Sequence, residues 1–282
     1  MRGCGSTRPV GSSGWIEASG CWLASWSMAH AWHSYAAQQV CIRLFSQKPG
    51  AGLRAQIQSS AEVTMNIFLT SSFAEVVDLF VRFTGGECRG RTVTLIPTAS
   101  LAEEVNSYLV AARDALVEAG LVIDELEVST ATQDEIVSKL ERGDYIYVSG
   151  GNTFFLLQEL KRTGADRLIA EQVRAGKCYI GESAGSAILA PSIDYIRALD
   201  DVTAAPDLES CTALGLVDFY PLPHYRNAPF DEAVEVLKEH GQVLALRPFS
   251  NNQAIVVSGG HAEIQTSGER GAAAHAAHLP PR

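Results

Sequence analysis

The chain has 282 residues, 46% of them hydrophobic, and a formal net charge of -10, which suits one large or two small soluble domains with a sizeable core. An acidic chain with no Lys/Arg-rich run argues against a nucleic-acid or anionic-membrane partner, because such partners need a basic patch to displace phosphate counterions. No apolar run reaches the ~18 residues needed to span a bilayer.

The six cysteines, Cys4, Cys21, Cys41, Cys88, Cys178 and Cys211, form no C-x-x-C pair and no zinc-like spacing with histidine. Neither a metal, nor a cofactor, nor a disulfide framework is therefore expected, and a reducing, cytoplasmic compartment fits.

Residues 1 to 64 differ in kind from the rest of the chain. They hold all four tryptophans, Trp15, Trp22, Trp26 and Trp32, and only Glu17 and Glu62 as acids. They read as a poorly ordered upstream extension or a targeting segment, with Met65 a natural initiator. From there strand and helix signals alternate. Strands are expected over 66–70 and 92–97, a helix over 101–119 stopped by Gly120, and a strand over 121–128. A helix over 132–142, a buried strand over 145–148, helices over 154–162 and 166–175, and a strand over 178–180 come next. Strands separated by helices of this length favour parallel βαβ units, and hence an α/β doubly wound sheet with ligands at the carboxyl ends of its strands. Apolar runs at 214–220, 242–247 and 253–257 read as further strands at the sheet edge, and 230–239 as an amphipathic helix. Residues 65 to 267 would form the catalytic domain. Residues 268 to 282, rich in Gly, Ala, His and Pro, read as a disordered tail with His275 and His278 solvated.

The most informative segment is Gly181-Glu182-Ser183-Ala184-Gly185, between the strand ending at Ile180 and a helix-compatible stretch. It reads as a nucleophile elbow, a strand-to-helix turn that lifts a serine hydroxyl above the sheet edge. A serine needs a base, and the base an orienting group. His224, in Pro221-Leu222-Pro223-His224-Tyr225 after an apolar run, is favoured as the base over His240 at a helix end and His261 after a Gly-Gly turn. For the acid, Asp194, Asp200, Asp201, Asp207 and Asp218 all lie between Ser183 and His224, and spacing singles out none of them. Ser149-Gly150-Gly151-Asn152-Thr153 ends another buried strand. Its glycines allow close backbone approach, Asn152 or Thr153 can cap the next helix, and no phosphate-loop lysine follows. The Gly151 and Ala184 amides can converge as an oxyanion hole.

Gly150-Gly151-Asn152-Thr153-Phe154, then Tyr179 to Gly185, then Ile196-Arg197 ahead of Asp200-Asp201, and finally Pro223-His224, together resemble the peptidase E (aspartyl dipeptidase) family of serine peptidases over about Met65 to Gly260. The resemblance implies a class I glutamine amidotransferase-like fold and hydrolysis of short peptides, chiefly dipeptides with an N-terminal aspartate. It implies Ser183 as nucleophile, His224 as base, Asp201 as the orienting acid with Asp200 as the alternative, and Gly151 and Ala184 as the oxyanion hole. Asn152, Glu182 and Arg226 are the candidate substrate contacts, and Arg197 is a second candidate cation for an acidic side chain. Glu182 stands where the best-known members have tryptophan, and the basic segment that follows the histidine in aspartyl-specific members is missing. A cyanophycinase-like β-aspartyl peptidase and a non-catalytic binding module are the competing readings. The expected partner is a short peptide substrate, with the chain a monomer or homodimer.

Overall fold

The computed structural model describes residues 64–104 and 106–268; the expected amino-terminal extension and carboxyl-terminal tail lie outside the described residues. Elements alternate along the chain: β1 (Ile67–Thr70), α1 (Phe73–Phe83), β2 (Thr92–Ile96), α2 (Ser107–Glu118), β3 (Val122–Glu125), α3 (Gln133–Arg142), β4 (Tyr145–Val148), α4 (Thr153–Thr163), α5 (Ala165–Arg174), β5 (Cys178–Glu182) and the short α6 (Ala184–Ala187). After a long irregular stretch come β6 (Tyr220–Leu222), α7 (Glu232–His240), β7 (Leu246–Pro248), β8 (Gln253–Ser258) and β9 (His261–Thr266).

The main sheet has the order β3-β2-β4-β5-β1-β8-β9. Its first five strands are parallel, whereas β8 runs antiparallel to both β1 and β9. The run Gln253–Ser258 is thus an added strand of this sheet, but it lies inside the edge expected for it, because β9, not among the expected strands, folds back on it and takes that edge. Leu246–Pro248 instead pairs with β6 in a separate two-stranded ladder.

The inner strands read as nearly continuous apolar runs because both faces of a parallel sheet are covered. Their side chains alternate between two cores. Ile67, Leu69, Ile146, Val148 and Tyr179 pack with α3, α4 and α5. Phe68, Val93, Leu95, Tyr147 and Ile180 pack with α1 and α2. The predicted elements omit α1, which carries Phe73, Val76, Leu79 and Phe80 on its buried face. The helix expected over 101–119 begins only at Ser107, with Asn106 at its cap and a 3-10 turn at Thr98–Ala102 before it. That turn is fixed by other partners: the Ser100 hydroxyl donates to the Pro97 carbonyl, and the Asn152 amide to the Ala99 carbonyl.

Among the described residues no helix is long and apolar enough to cross a membrane.

Candidate active site

β5 delivers Ser183 to the carboxyl edge of the sheet, and α6 begins with the next residue. Ser183 has φ 49° and ψ -106°, a strained backbone that a side-chain-bearing residue holds only when its surroundings over-determine it. The Ser183 amide donates to the Thr70 carbonyl at 2.8 Å. The Ser186 hydroxyl accepts from the Thr70 amide at 3.1 Å and reaches the Thr70 and Gly181 carbonyls at 2.9 and 2.8 Å. The Tyr179 hydroxyl donates to the Gly185 carbonyl at 2.7 Å. The elbow is therefore pinned to both β1 and its own strand.

Two glycines leave no room for anything larger. A Cβ on Gly185 would stand 2.1 Å from the Val148 carbonyl oxygen, and one on Gly181 2.4 Å from that of Gly185. Both obstacles are backbone, so neither can swing aside. Gly185→Ala should cost about 3 kcal/mol or more, measured by chemical denaturation, since relief requires parting β4 from α6.

His224 follows β6, and its imidazole Nε2 lies 2.9 Å from the Ser183 hydroxyl oxygen. Its backbone is also left-handed, with φ 58°, and its amide donates to the Ser71 hydroxyl at 3.0 Å, which in turn donates to the Phe249 carbonyl. The Phe230 ring stacks on the imidazole, with centroids 4.1 Å apart and planes 17° apart. Burial pushes the imidazole down to about 4, against a hydrogen bond to Asn251 that pulls the other way. The ring is consequently neutral at pH 7, with a lone pair free to accept the serine proton.

The group behind the imidazole is Asn251, whose Oδ1 lies 2.8 Å from Nδ1. This corrects the expectation for Asp201. The Asp201 side chain is exposed and turned onto Thr203, accepting from its amide and meeting its hydroxyl at 2.8 Å. These bonds hold its carboxyl below the usual range. Asp200 does not reach the histidine as a partner either. Its carboxylate accepts from the Thr153 amide at 2.8 Å at the start of α4, and burial raises it to about 6. Asp201 caps the 3-10 turn Val202–Ala204 and Asp200 stands just before it, where a short acid satisfies nearby amides first.

Gly151 has φ 128°, and a Cβ there would sit 2.2 Å from the Ala99 carbonyl. A Cβ on Gly150 would lie 3.2 Å from that of Ser183, so the β4–α4 loop runs directly beside the serine. Asn152 is buried and committed at both ends: it caps α4 by accepting from the Phe155 amide and donates to the Asp201 carbonyl. It is a scaffold residue of the loop rather than a free substrate contact. Glu182 is likewise turned inward, 3% exposed, and bonded to Tyr147 and the Phe73 amide. Both therefore depart from the expected substrate-facing role, because buried polar groups must find internal partners. Arg226 is exposed, packs over the Tyr225 ring and has no carboxylate partner among the described residues. Arg197 pairs with Asp194 at 2.8 Å and lies over Phe154.

Asn251, Ser71 and Phe230 were not among the expected site residues. Asn251 sits in Ser250-Asn251-Asn252, which carries only a turn signal. Its backbone amide donates to Asn227 Oδ1 at 2.9 Å, so the loop carrying His224 also positions the imidazole's partner. Among the described residues no group of three or more His, Cys, Asp or Glu side chains is placed to hold a metal.

Fold and site together define the class: an α/β protein with a serine elbow at the carboxyl edge of the parallel part of its sheet. The model of peptidase family S51 matches residues 59–265, and the chain belongs to that family. It is 51% identical over 195 residues to an uncharacterized peptidase of Listeria monocytogenes, covering 69% of this chain and 95% of the relative. It is 39% identical over 133 residues to the peptidase E of Shewanella denitrificans, covering 47% of this chain and 53% of that protein. A crystal structure of a candidate peptidase E from Listeria monocytogenes superposes with a TM-score of 0.70 at 48% identity, covering 73% of this chain and all of the other. The fold is the class I glutamine amidotransferase-like fold of peptidase E structures.

Proposed function

We propose that this chain is a serine peptidase that cleaves short peptides through an acyl-enzyme. Ser183 is the nucleophile, His224 the general base, Asn251 the orienting group, and the Gly151 and Ala184 amides the oxyanion hole. One observation carries the reading: a serine on a strained elbow whose hydroxyl meets a neutral imidazole at 2.9 Å. Nε2 takes the hydroxyl proton as Ser183 attacks the scissile carbonyl. The developing oxyanion turns to the two amides, neither of which has an acceptor among the described residues. The imidazolium then protonates the departing amine, and water, deprotonated by the same nitrogen, releases the acyl group.

The proposed substrates are dipeptides with an N-terminal aspartate. Relatives named peptidase E support this, as does Arg226, a cation two residues after the base with no carboxylate partner among the described residues, whereas Arg197 is already engaged by Asp194. A fluorophosphonate probe followed by peptide mapping should place the label on Ser183. With α-Asp-Leu, β-Asp-Leu and Ala-Leu as substrates, α-Asp-Leu should be turned over best. Arg226→Ala should lower the ratio of kcat/KM for α-Asp-Leu over Ala-Leu by roughly 10- to 100-fold, as loss of one charge-assisted hydrogen bond implies. A probe that labels elsewhere would reject the nucleophile. Preference for the β-linked peptide would reassign the substrate.

A further inference from the structure

Glu182, immediately before the nucleophile, is a buried acid that the proposed reaction leaves unused. Its Oε1 accepts from the Phe73 amide at 2.8 Å and its Oε2 from the Tyr147 hydroxyl at 2.6 Å. Each of these donors leads to a different part of the site. Phe73 lies two residues after Ser71, whose hydroxyl accepts the backbone amide of His224. Tyr147 belongs to β4, which leads into the loop of Gly150 and Gly151, the latter the proposed oxyanion donor. Glu182 itself leads into Ser183.

We propose that Glu182 is a positioning residue, whose buried carboxylate ties the β1–α1 turn and β4, the strand that runs into the Gly150–Gly151 loop, to the elbow and so holds base, oxyanion amides and nucleophile in register. The inference rests on the peptidase reading above. Its physical basis is that the Phe73 amide can only donate and the Tyr147 hydroxyl has no other partner among the described residues, so an ionised carboxylate, with no hydrogen of its own, satisfies both. A protonated acid keeps the Tyr147 contact only by reversing it, its O–H donating to the phenol oxygen, which leaves the buried phenol proton without a partner.

The groups around the carboxylate sharpen this. From β4 the facing group is the Tyr147 phenol, and from α2 it is Tyr108, itself bonded to Glu103. The β1–α1 turn presents the Phe73 amide. Burial raises the Glu182 carboxyl to about 7 although the hydrogen bonds from Tyr147 and Phe73 pull it down. As pH falls through about 7 the carboxyl therefore gains a proton, the Tyr147 tie is reversed or broken and turnover declines. Protonation of His224 would stop the reaction only near 4.

The test is Glu182→Gln, of nearly equal volume, whose amide oxygen can still accept from Phe73 but whose NH2 meets Tyr147 only by turning the phenol into an acceptor. With folding checked by circular dichroism and thermal unfolding, kcat should fall roughly 10- to 100-fold with KM changed less than about twofold, the size expected for small misplacement of reacting groups. The wild-type acid limb near neutrality should vanish in this variant, leaving only a fall at lower pH. Tyr147→Phe removes one donor while keeping the acid. Its acid limb should move to higher pH, and this variant serves if Glu182→Gln does not fold. An unchanged kcat in Glu182→Gln, or a limb unmoved in both variants, overturns the proposal. Each profile is also read as the rate of fluorophosphonate labelling of Ser183. A wild-type protein that labels but cleaves no peptide sinks only the peptidase reading, and equal labelling rates across pH in wild type and Glu182→Gln sink only the role of Glu182. A wild-type protein inert to the probe overturns both.

Discussion

Ser183→Ala is expected to reduce kcat/KM for α-Asp dipeptides by roughly 10⁴- to 10⁶-fold, the scale at which removal of a serine nucleophile stops covalent catalysis. The loss should fall almost wholly on kcat, since the hydroxyl forms a bond to the substrate only in the reacting complex. The remaining rate would come from peptide held against the Gly151 and Ala184 amides, where water attacks without a positioned nucleophile. The variant should fold normally: it removes one oxygen whose partner is His224 Nε2 at 2.9 Å and leaves the Ser183 amide on the Thr70 carbonyl. Thermal unfolding within a few degrees of wild type, together with lost turnover, is the expected pair of results. Turnover above about 1% of wild type would remove Ser183 from the nucleophile role.

The strength of that expectation comes from features that are local in sequence. The five residues of the elbow, the strand before them and the small residues after them are contiguous, and Gly181 and Gly185 are required by backbone contacts within the same turn and with the neighbouring β4. The βα alternation was equally legible, because a strand buried on both faces leaves an apolar run such as Tyr145–Val148 whatever its partners. α1 was legible too, with Phe73, Val76 and Phe80 recurring at helical spacing, although the expected elements left it out. What could not be read was the partner of the imidazole. Asp200 and Asp201 drew attention as acids between the serine and the histidine, yet the fold spends them on the Thr153 and Thr203 amides. Asn251 follows the histidine by 27 positions and enters the site through β7, the turn after it and the contact with Asn227. Its place depends on long-range packing, and neither its residue type nor its spacing announces it. Glu182 illustrates the converse: its position beside Ser183 was plain, but the inward direction of its side chain depends on Tyr147 and Phe73, which reach it from separate elements.

Asn251 supplies the second large effect. Asn251→Ala should lower kcat by roughly 10²- to 10⁴-fold, whereas Asp201→Asn should leave activity within about twofold, because the Asp201 carboxylate is exposed and among the described residues meets Thr203 alone. Two jobs are lost with the amide. Its oxygen accepts the Nδ1 proton, which keeps the Nε2 lone pair aimed at Ser183, and it fixes the ring plane against Phe230. An amide oxygen offers the imidazolium a dipole and no full charge, which fits a ring that burial holds down to about 4. Asn251→Asp therefore makes a separate, signed prediction. A carboxylate beside Nδ1 stabilises the protonated ring, so the histidine should titrate at higher pH, read directly from its ring resonances in NMR. The stability consequence has the same sign. In the wild type the folded imidazole titrates below its unfolded value of 6.5, so stability present above that pH is lost as pH falls from 6.5 toward 4. Raising the folded value in Asn251→Asp narrows that window, and the variant should lose less stability than wild type between about pH 6.5 and 5. If the ring titration is unmoved in Asn251→Asp and Asn251→Ala keeps full turnover, the imidazole is oriented by Phe230 and its own backbone alone.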